Sequence, residues 1–332
     1  MQNQHNNPSI QTSKPLVTFI VTYYNQPVPM LCECINSILV LSLRDFEREI
    51  IVIDDGSDIS PMNGLMQYGD DIIYIRQKRQ GDSIARNTGL NMAKGQFVQI
   101  INSEDFLIQA PYERCLDIIR YKSDTDAVFF NYTQNGKSHA STATPNRFSG
   151  TDYMRNRNLQ GGVCCYLFRN AVRGQLVFSP SISYGEEDEF ISLLLLRTEV
   201  IYEVEDKAYY YRQRPTTSFQ ENDTDSKQKQ LDDALHVIKS LNFKADRLPN
   251  NDRLAMQRRV AQLTMDYILN IMTLTPSRQE LEKRIQELYA AGLFPLPDKD
   301  YSKKYLLFRK MSSTAIGRSI LMHTLPIFHK LS

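Results

Sequence analysis

The chain has 332 residues, 42% of them hydrophobic, and carries 39 basic against 38 acidic side chains, a net charge of +1. That length suits one large α/β domain with a smaller appendage, and the apolar share is enough for a sizeable core. A balance so near neutral argues against a nucleic-acid partner, and no apolar run approaches the roughly 18 residues of a spanning helix, the longest being Phe190 to Leu196.

Residues 1–14, rich in Asn and Gln, read as a disordered tail without the apolar stretch of a signal peptide. Leu16 to Thr22 is a buried strand by its β-branched run. A polar turn follows, and Met30, Leu31, Cys34, Ile35, Ile38 and Leu39 recur at helical spacing. Glu49 to Ile53 is a second strand and Ile72 to Ile75 a short third. Ser83 to Ala93 reads as a helix stopped by Gly95. Gln96 to Ile101 is a fourth strand. This alternation with short polar turns predicts a mainly parallel, doubly wound sheet. Further strands are expected near Ala127–Tyr132, Val163–Phe168, Val200–Val204 and Ala208–Tyr211, with a helix over Glu187–Arg197. Beyond Ser218 the texture turns helical, over Leu231–Leu241, Arg253–Met272 and Arg278–Ala290. Val260, Leu263, Tyr267, Ile271 and Leu274 keep one apolar stripe. The expected organisation is a tail over 1–14, an α/β domain over 15–220 and a helical region over 221–332.

The charge is uneven. From Tyr301 onward there are six cations (Lys303, Lys304, Arg309, Lys310, Arg318 and Lys330) and no acid, so the first 300 residues hold 33 basic and 38 acidic side chains. With Tyr305, Leu306, Phe308 and Ile320 between the cations, this segment fits either of two roles. It can pack as a basic helix on the acidic body, or it can make peripheral contact with the anionic face of an inner membrane. The five cysteines fall at spacings that match neither a zinc site nor a disulfide framework, which points to buried reduced thiols in a cytoplasmic protein.

Acidic clusters stand just past the ends of two strands: Asp54-Asp55 after the second and Glu104-Asp105 after the fourth. In open α/β sheets that edge is where ligands bind. Two carboxylate clusters facing one crevice need a cation or hydrogen-bond donors between them, so Glu104 is a candidate oxygen ligand for Mg²⁺ or Mn²⁺. No glycine-rich GxGxxG follows the first strand, and no phosphate-binding GxxxxGK[ST] is present, which disfavours dehydrogenases and P-loop enzymes. The activating loop of a sugar nucleotidyltransferase is missing as well.

Four motifs occur in register: Thr22-Tyr23-Tyr24-Asn25, Asp54-Asp55-Gly56-Ser57, the run Gly81 to Gly89 containing Ala85-Arg86-Asn87, and Asn102-Ser103-Glu104-Asp105. On these, Pro15 to Ile119 resembles the N-terminal half of family 2 glycosyltransferases, inverting enzymes of the GT-A fold, whose motifs run PxYN, DDGS, G-x-S-x-ARN-x-G and DSDD. A looser resemblance continues through Gly185 to Phe190 and Tyr209 to Arg214. The resemblance implies a nucleotide-diphospho-sugar donor, UDP by family frequency, and a glycan or lipid-linked acceptor. It implies a donor-binding set of Thr22, Tyr24, Asn25, Asp54, Asp55, Arg86, Asn102, Ser103, Arg212 and Arg214, with Glu104 and Asp105 toward the metal. Arg86 suits base or phosphate oxygens through its planar fork, or alternatively an internal bridge to Asp54 or Asp55. Arg212 and Arg214, alternating on a strand, would share a face. The chain departs from DSDD at Asn102 and Glu104. Asn102 still hydrogen-bonds a ribose, whereas Glu104 keeps the charge but adds a methylene.

Inverting transfer needs one carboxylate base to take the acceptor's proton. The family's base is the Asp of G-E-D-x-x-F at a helix start. Counting back from Phe190 puts Glu187 at that place, while Asp188 has the expected residue type, so both stand as candidates. The variant residues also support a second reading, a catalytically silent GT-A-like protein that binds nucleotide-sugar or glycan.

Overall fold

A computed structural model describes residues 14–329, apart from 136, 137, 139, 160 and 214–222. The described strands are β1 (Val17–Tyr23), β2 (Arg48–Asp54), β3 (Ile73–Arg76), β4 (Phe97–Asn102), β5 (Phe106–Leu107), β6 (Ala127–Thr133), β7 (Asn146–Phe148), β8 (Tyr166–Arg169) and β9 (Ile201–Tyr210). The described helices up to residue 213 are α1 (Val28–Leu39), α2 (Met62–Leu65), α3 (Asp82–Met92), α4 (Gln109–Tyr121), α5 (Gly150–Asn156), α6 (Asn170–Arg173) and α7 (Glu186–Leu195). Beyond residue 222 come α8 (Thr224–Ala245), α9 (Asn250–Leu274), α10 (Arg278–Ala290), α11 (Lys303–Ser312) and α12 (Ala315–His329).

One sheet runs in the order β3-β2-β1-β4-β8-β6-β9-β5, with β7 paired to β9. Its first half is parallel and doubly wound. All seven residues of β1 are buried, as a central strand covered on both faces requires. Its register sets Thr22 beside Ile53 of β2 and Asn102 of β4, and Tyr23 beside Asp54. The carboxyl ends of β1, β2 and β4 therefore open onto one edge. The chain steps from β1 outward to both sides, so this edge is a topological switch point. Helix α3 lies close over β1, because a Cβ on Gly89 would come within 2.4 Å of the Ile20 side chain.

The second half departs from the parallel expectation. Strand β8 runs antiparallel to both β4 and β6, β9 is parallel to β6, and β5 and β7 are antiparallel to β9. Periodicity reports burial and carries no pairing direction, so this mixture was invisible in the sequence. Two strand assignments also change. Val163–Cys165 is a 3₁₀ turn that precedes β8. The segments expected at Val200–Val204 and Ala208–Tyr211 are one strand, because Asp206, in the polar stretch between them, is buried and ion-paired to Arg114 at 2.6 Å.

A second hydrophobic cluster is built from α8 to α12, around Leu241, Met256, Ile268, Ile271, Ile285 and Leu288. It docks on the sheet domain through named polar contacts. Arg259 of α9 meets Asp188 of α7 at 2.5 Å, Lys244 of α8 meets Glu189 at 2.9 Å, and Arg258 donates to the Met154 carbonyl at 3.1 Å. The basic tail packs onto this lobe: Tyr305 and Phe308 are buried, Arg309 pairs with Asp298 at 2.6 Å and Arg318 with Glu282 at 2.7 Å. Among the described residues no helix is long and apolar enough to cross a membrane.

Candidate active site

The loop after β1 is tied to the loop after β2. Asn25, at φ 57°, occupies the left-handed region that Asn tolerates. Its backbone N–H donates to Ser57 Oγ at 3.0 Å. Its side-chain amide donates to Asp58 at 2.9 Å and accepts from the Asp58 backbone at 2.8 Å. Asp54 is fully buried, taking hydrogen bonds from the Ser57 N–H at 2.8 Å and the Tyr74 hydroxyl at 2.7 Å. Both residues thus shape the rim.

Asp55 organises the crevice itself. Its carboxylate accepts from Gln77 at 2.7 Å, Arg79 at 2.6 Å and the backbone N–H groups of Gln80 and Gly81 at 3.0 and 2.8 Å. The Arg79 guanidinium lies 3.5 Å over the Tyr24 ring, a close cation–π contact. Thr22, Tyr24, Gln26, Asp55, Arg79 and Glu104 line a crevice of about 130 Å³ with Asn102 and Asp82. Ser103 is buried beneath it and donates to Gln26 at 3.3 Å.

The Asn102–Asp105 turn separates its two acids. Asp105 is buried and accepts from the Tyr209 hydroxyl at 2.7 Å, the Asn102 amide at 3.0 Å and the Arg212 backbone N–H at 2.8 Å. Burial pushes its carboxyl up and those three donors pull it back. These three donors hold the Asp105 carboxylate within the turn. Glu104 lines the crevice. Among the described residues no three His, Cys, Asp or Glu side chains converge as a ready-made metal cage. The arrangement fits a hard cation shared between one carboxylate and the phosphate oxygens of a ligand.

Arg212 lies beyond the end of β9, so strand alternation does not govern it. Its guanidinium donates to the Glu104 carbonyl at 2.8 Å and pairs with Glu33 of α1 at 2.6 Å. It clamps the turn to α1. Arg214 lies outside the described residues.

Arg86 pairs with neither Asp54 nor Asp55. From α3 it reaches across to the first turn of α7, meeting Glu186 at 3.0 Å and Glu187 at 2.6 Å. The contact spans about a hundred positions, which is why local spacing did not reveal it. Burial pulls its guanidinium down, but Glu187 and Glu186 outweigh that and hold it above its ordinary value. The other Glu187 oxygen accepts from the Val163 N–H at 2.9 Å. A Cβ on Gly162 would come within 2.3 Å of that oxygen. Cys164, in the same turn, is pushed up by its hydrogen bond with Cys165 and by burial, and then by Glu187 and Asp105. The turn is tied to α7 through Glu187 and to β4 through Gln99, whose amide donates to the Cys164 carbonyl at 2.8 Å.

Asp188 faces elsewhere, toward α9. Burial raises its carboxyl against the opposing pull of Arg259. Sequence reasoning singled out neither Arg79 nor Arg259; Arg79 left a signal, as a cation two residues before the Gly81 motif.

Residues 18–175 match the family model described as glycosyl transferase family 2. An uncharacterized glycosyltransferase, EpsJ, of Bacillus subtilis is 27% identical over 219 residues, covering 61% of this chain and 62% of its own length. The minor teichoic acid biosynthesis protein GgaB of the same organism is 24% identical over 209 residues, covering 59% of this chain and 23% of its own length. The chain thus spans less than two thirds of either relative. Among solved structures, S. aureus TarS 1–349 in complex with UDP-GlcNAc superposes with a TM-score of 0.69 at 16% identity, covering 93% of this chain and 91% of that one. The mannosyltransferase PcManGT from Pyrobaculum calidifontis, in complex with GDP-Man and Mn²⁺, gives 0.56 at 15% identity, covering 93% and 87%. At that identity the likeness is one of fold: a GT-A α/β architecture with C-terminal helices.

Proposed function

Because residues 18–175 belong to glycosyl transferase family 2, we propose that the chain transfers a sugar from a nucleotide-diphospho-sugar to a glycan or lipid-linked hydroxyl, with inversion. The observation that carries this is the Arg86 bridge. It joins the helix whose Asp82 and Ala85 line the crevice to a glutamate at the start of α7. We divide the chain into a transferase domain over 15–220 and a helical region over 221–332.

In this reading the nucleotide lies against Tyr24 with Asp55 and Asn102 beneath it. A crevice of about 130 Å³ is smaller than the roughly 300 Å³ or more that such ligands occupy. Donor binding therefore moves Arg79 off Tyr24, freeing a ring face for the base. Glu187 acts as the base. The acceptor oxygen attacks the anomeric carbon, the bond to the nucleoside diphosphate breaks, and the hydroxyl proton passes to Glu187. Arg86 fixes that carboxylate's direction. A divalent cation, when held by Glu104 and the diphosphate, would neutralise charge on the leaving group. UDP is the first base to try, by analogy with the UDP-GlcNAc complex among the fold neighbours.

Titration of the purified chain with UDP- and GDP-sugars in Mn²⁺ tests the donor half. Saturable binding, competed by the matching nucleoside diphosphate, is expected. Failure of every sugar nucleotide to bind would overturn the reading.

A further inference from the structure

Between α7 and the helical lobe lies a cleft of about 230 Å³, with Tyr184, Asp188, Arg259 and Asp266 on its polar wall and Val237 and Leu263 on its apolar one. It is distinct from the Tyr24–Asp55 crevice and shares no residue with it.

Two groups on the polar wall are incompletely satisfied. Arg259 is 4% exposed. Its Nη atoms donate to Asp188 at 2.5 Å and Gln262 at 3.2 Å, but its buried Nε has no partner among the described residues. A buried N–H left unmet costs roughly 1–3 kcal/mol, and such exceptions call for a missing ligand or water. Asp266 makes no hydrogen bond or ion pair among the described residues, and burial pushes its carboxyl up to about 6 against Arg259 and Lys304. At neutral pH it remains mostly a carboxylate that accepts hydrogen bonds. The Tyr184 hydroxyl accepts from Asn270 at 3.3 Å and keeps its own proton to donate.

A donor, an acceptor and a hydroxyl set against an apolar wall match a ring that has a C–H face and a rim of hydroxyls. They do not match a diphosphate, since Arg259 is already paired and Asp266 adds negative charge. A second cleft of about 260 Å³ shares Leu159 and Asp266 and extends toward Lys304, giving room for a further unit.

We propose that this cleft is the acceptor subsite, holding a hydroxylated sugar ring against Arg259 and Asp266 of α9, beside Asp188 in the first turn of α7. The inference rests on the transferase reading for the ring's role as acceptor. It assigns acceptor choice to α9 as well as to the sheet domain.

Saturation-transfer NMR on the full chain tests it, with p-nitrophenyl glucoside, galactoside and N-acetylglucosaminide as probes at millimolar concentration. At least one probe should receive saturation. Asp266→Asn should weaken it about tenfold, as expected for one charged hydrogen bond, and Tyr184→Phe should weaken it less. Sugar-nucleotide titration of the same samples should be unchanged. No saturation of any probe, or binding unaltered in both variants, would overturn the proposal. Hexoside binding without donor binding would instead sink the transferase reading, and with it the acceptor role, leaving a cleft that binds a sugar ring.

Discussion

Asp55 lines the crevice and also orders the loop that borders it. It is 1% exposed and takes four hydrogen bonds. Two come from consecutive backbone N–H groups at the start of α3, so it fixes where that helix begins. Asp55→Ala removes all four hydrogen bonds, and at a net of roughly 0.5–1.5 kcal/mol for each the loss should be about 2–6 kcal/mol. Chemical denaturation reads it directly. A midpoint within error of wild type would mean the loop orders itself without Asp55. Asp105 is held in a similar way. Its partners Tyr209 and Arg212 lie 104 and 107 positions away, so no local pattern could reveal them. The motif located the turn, and long-range contacts decided which of its acids faces the crevice.

At the scale of elements, the strands that position the crevice were legible because β1, β2 and β4 are continuous apolar runs ending in polar turns. What was not legible is how α7 divides its acids. Glu186 and Glu187 turn to Arg86 on α3, and Asp188 turns to Arg259 on α9. Sequence spacing left Glu187 and Asp188 open because the choice depends on two cations on distant helices. Helix α9 carries a further charge with a measurable consequence. Asp266, raised to about 6 by burial, binds a proton more readily folded than unfolded. Between the unfolded value of about 4 and 6, folding therefore takes up a proton, and stability falls as pH rises through that window. Asp266→Asn should raise stability at pH 7, by on the order of 2 kcal/mol, and lose that gain near pH 4. Thermal melts across that range check it. An advantage independent of pH would point to packing instead.

For the whole molecule, the near-neutral charge conceals an acidic body with a basic tail, and the structure gives that split a physical basis. Part of the tail's charge is spent within the helical lobe, where Arg309 and Arg318 pair with Asp298 and Glu282. Lys303, Lys304 and Lys310 have no ion pair among the described residues, and Leu307, Ile316 and Ile320 are exposed beside them. The lobe is held to the sheet domain through α5 and through α7, the helix that bears the candidate base.

Whether Glu187 takes the acceptor's proton in a sugar transfer is read by nucleotide release from the bound donor in the presence of acceptor. Wild type and Glu187→Gln would be compared at equal donor occupancy. Turnover should fall about 10²–10⁴-fold, with donor affinity unchanged. Full turnover in Glu187→Gln, with the loss appearing in Asp188→Asn instead, would contradict that role.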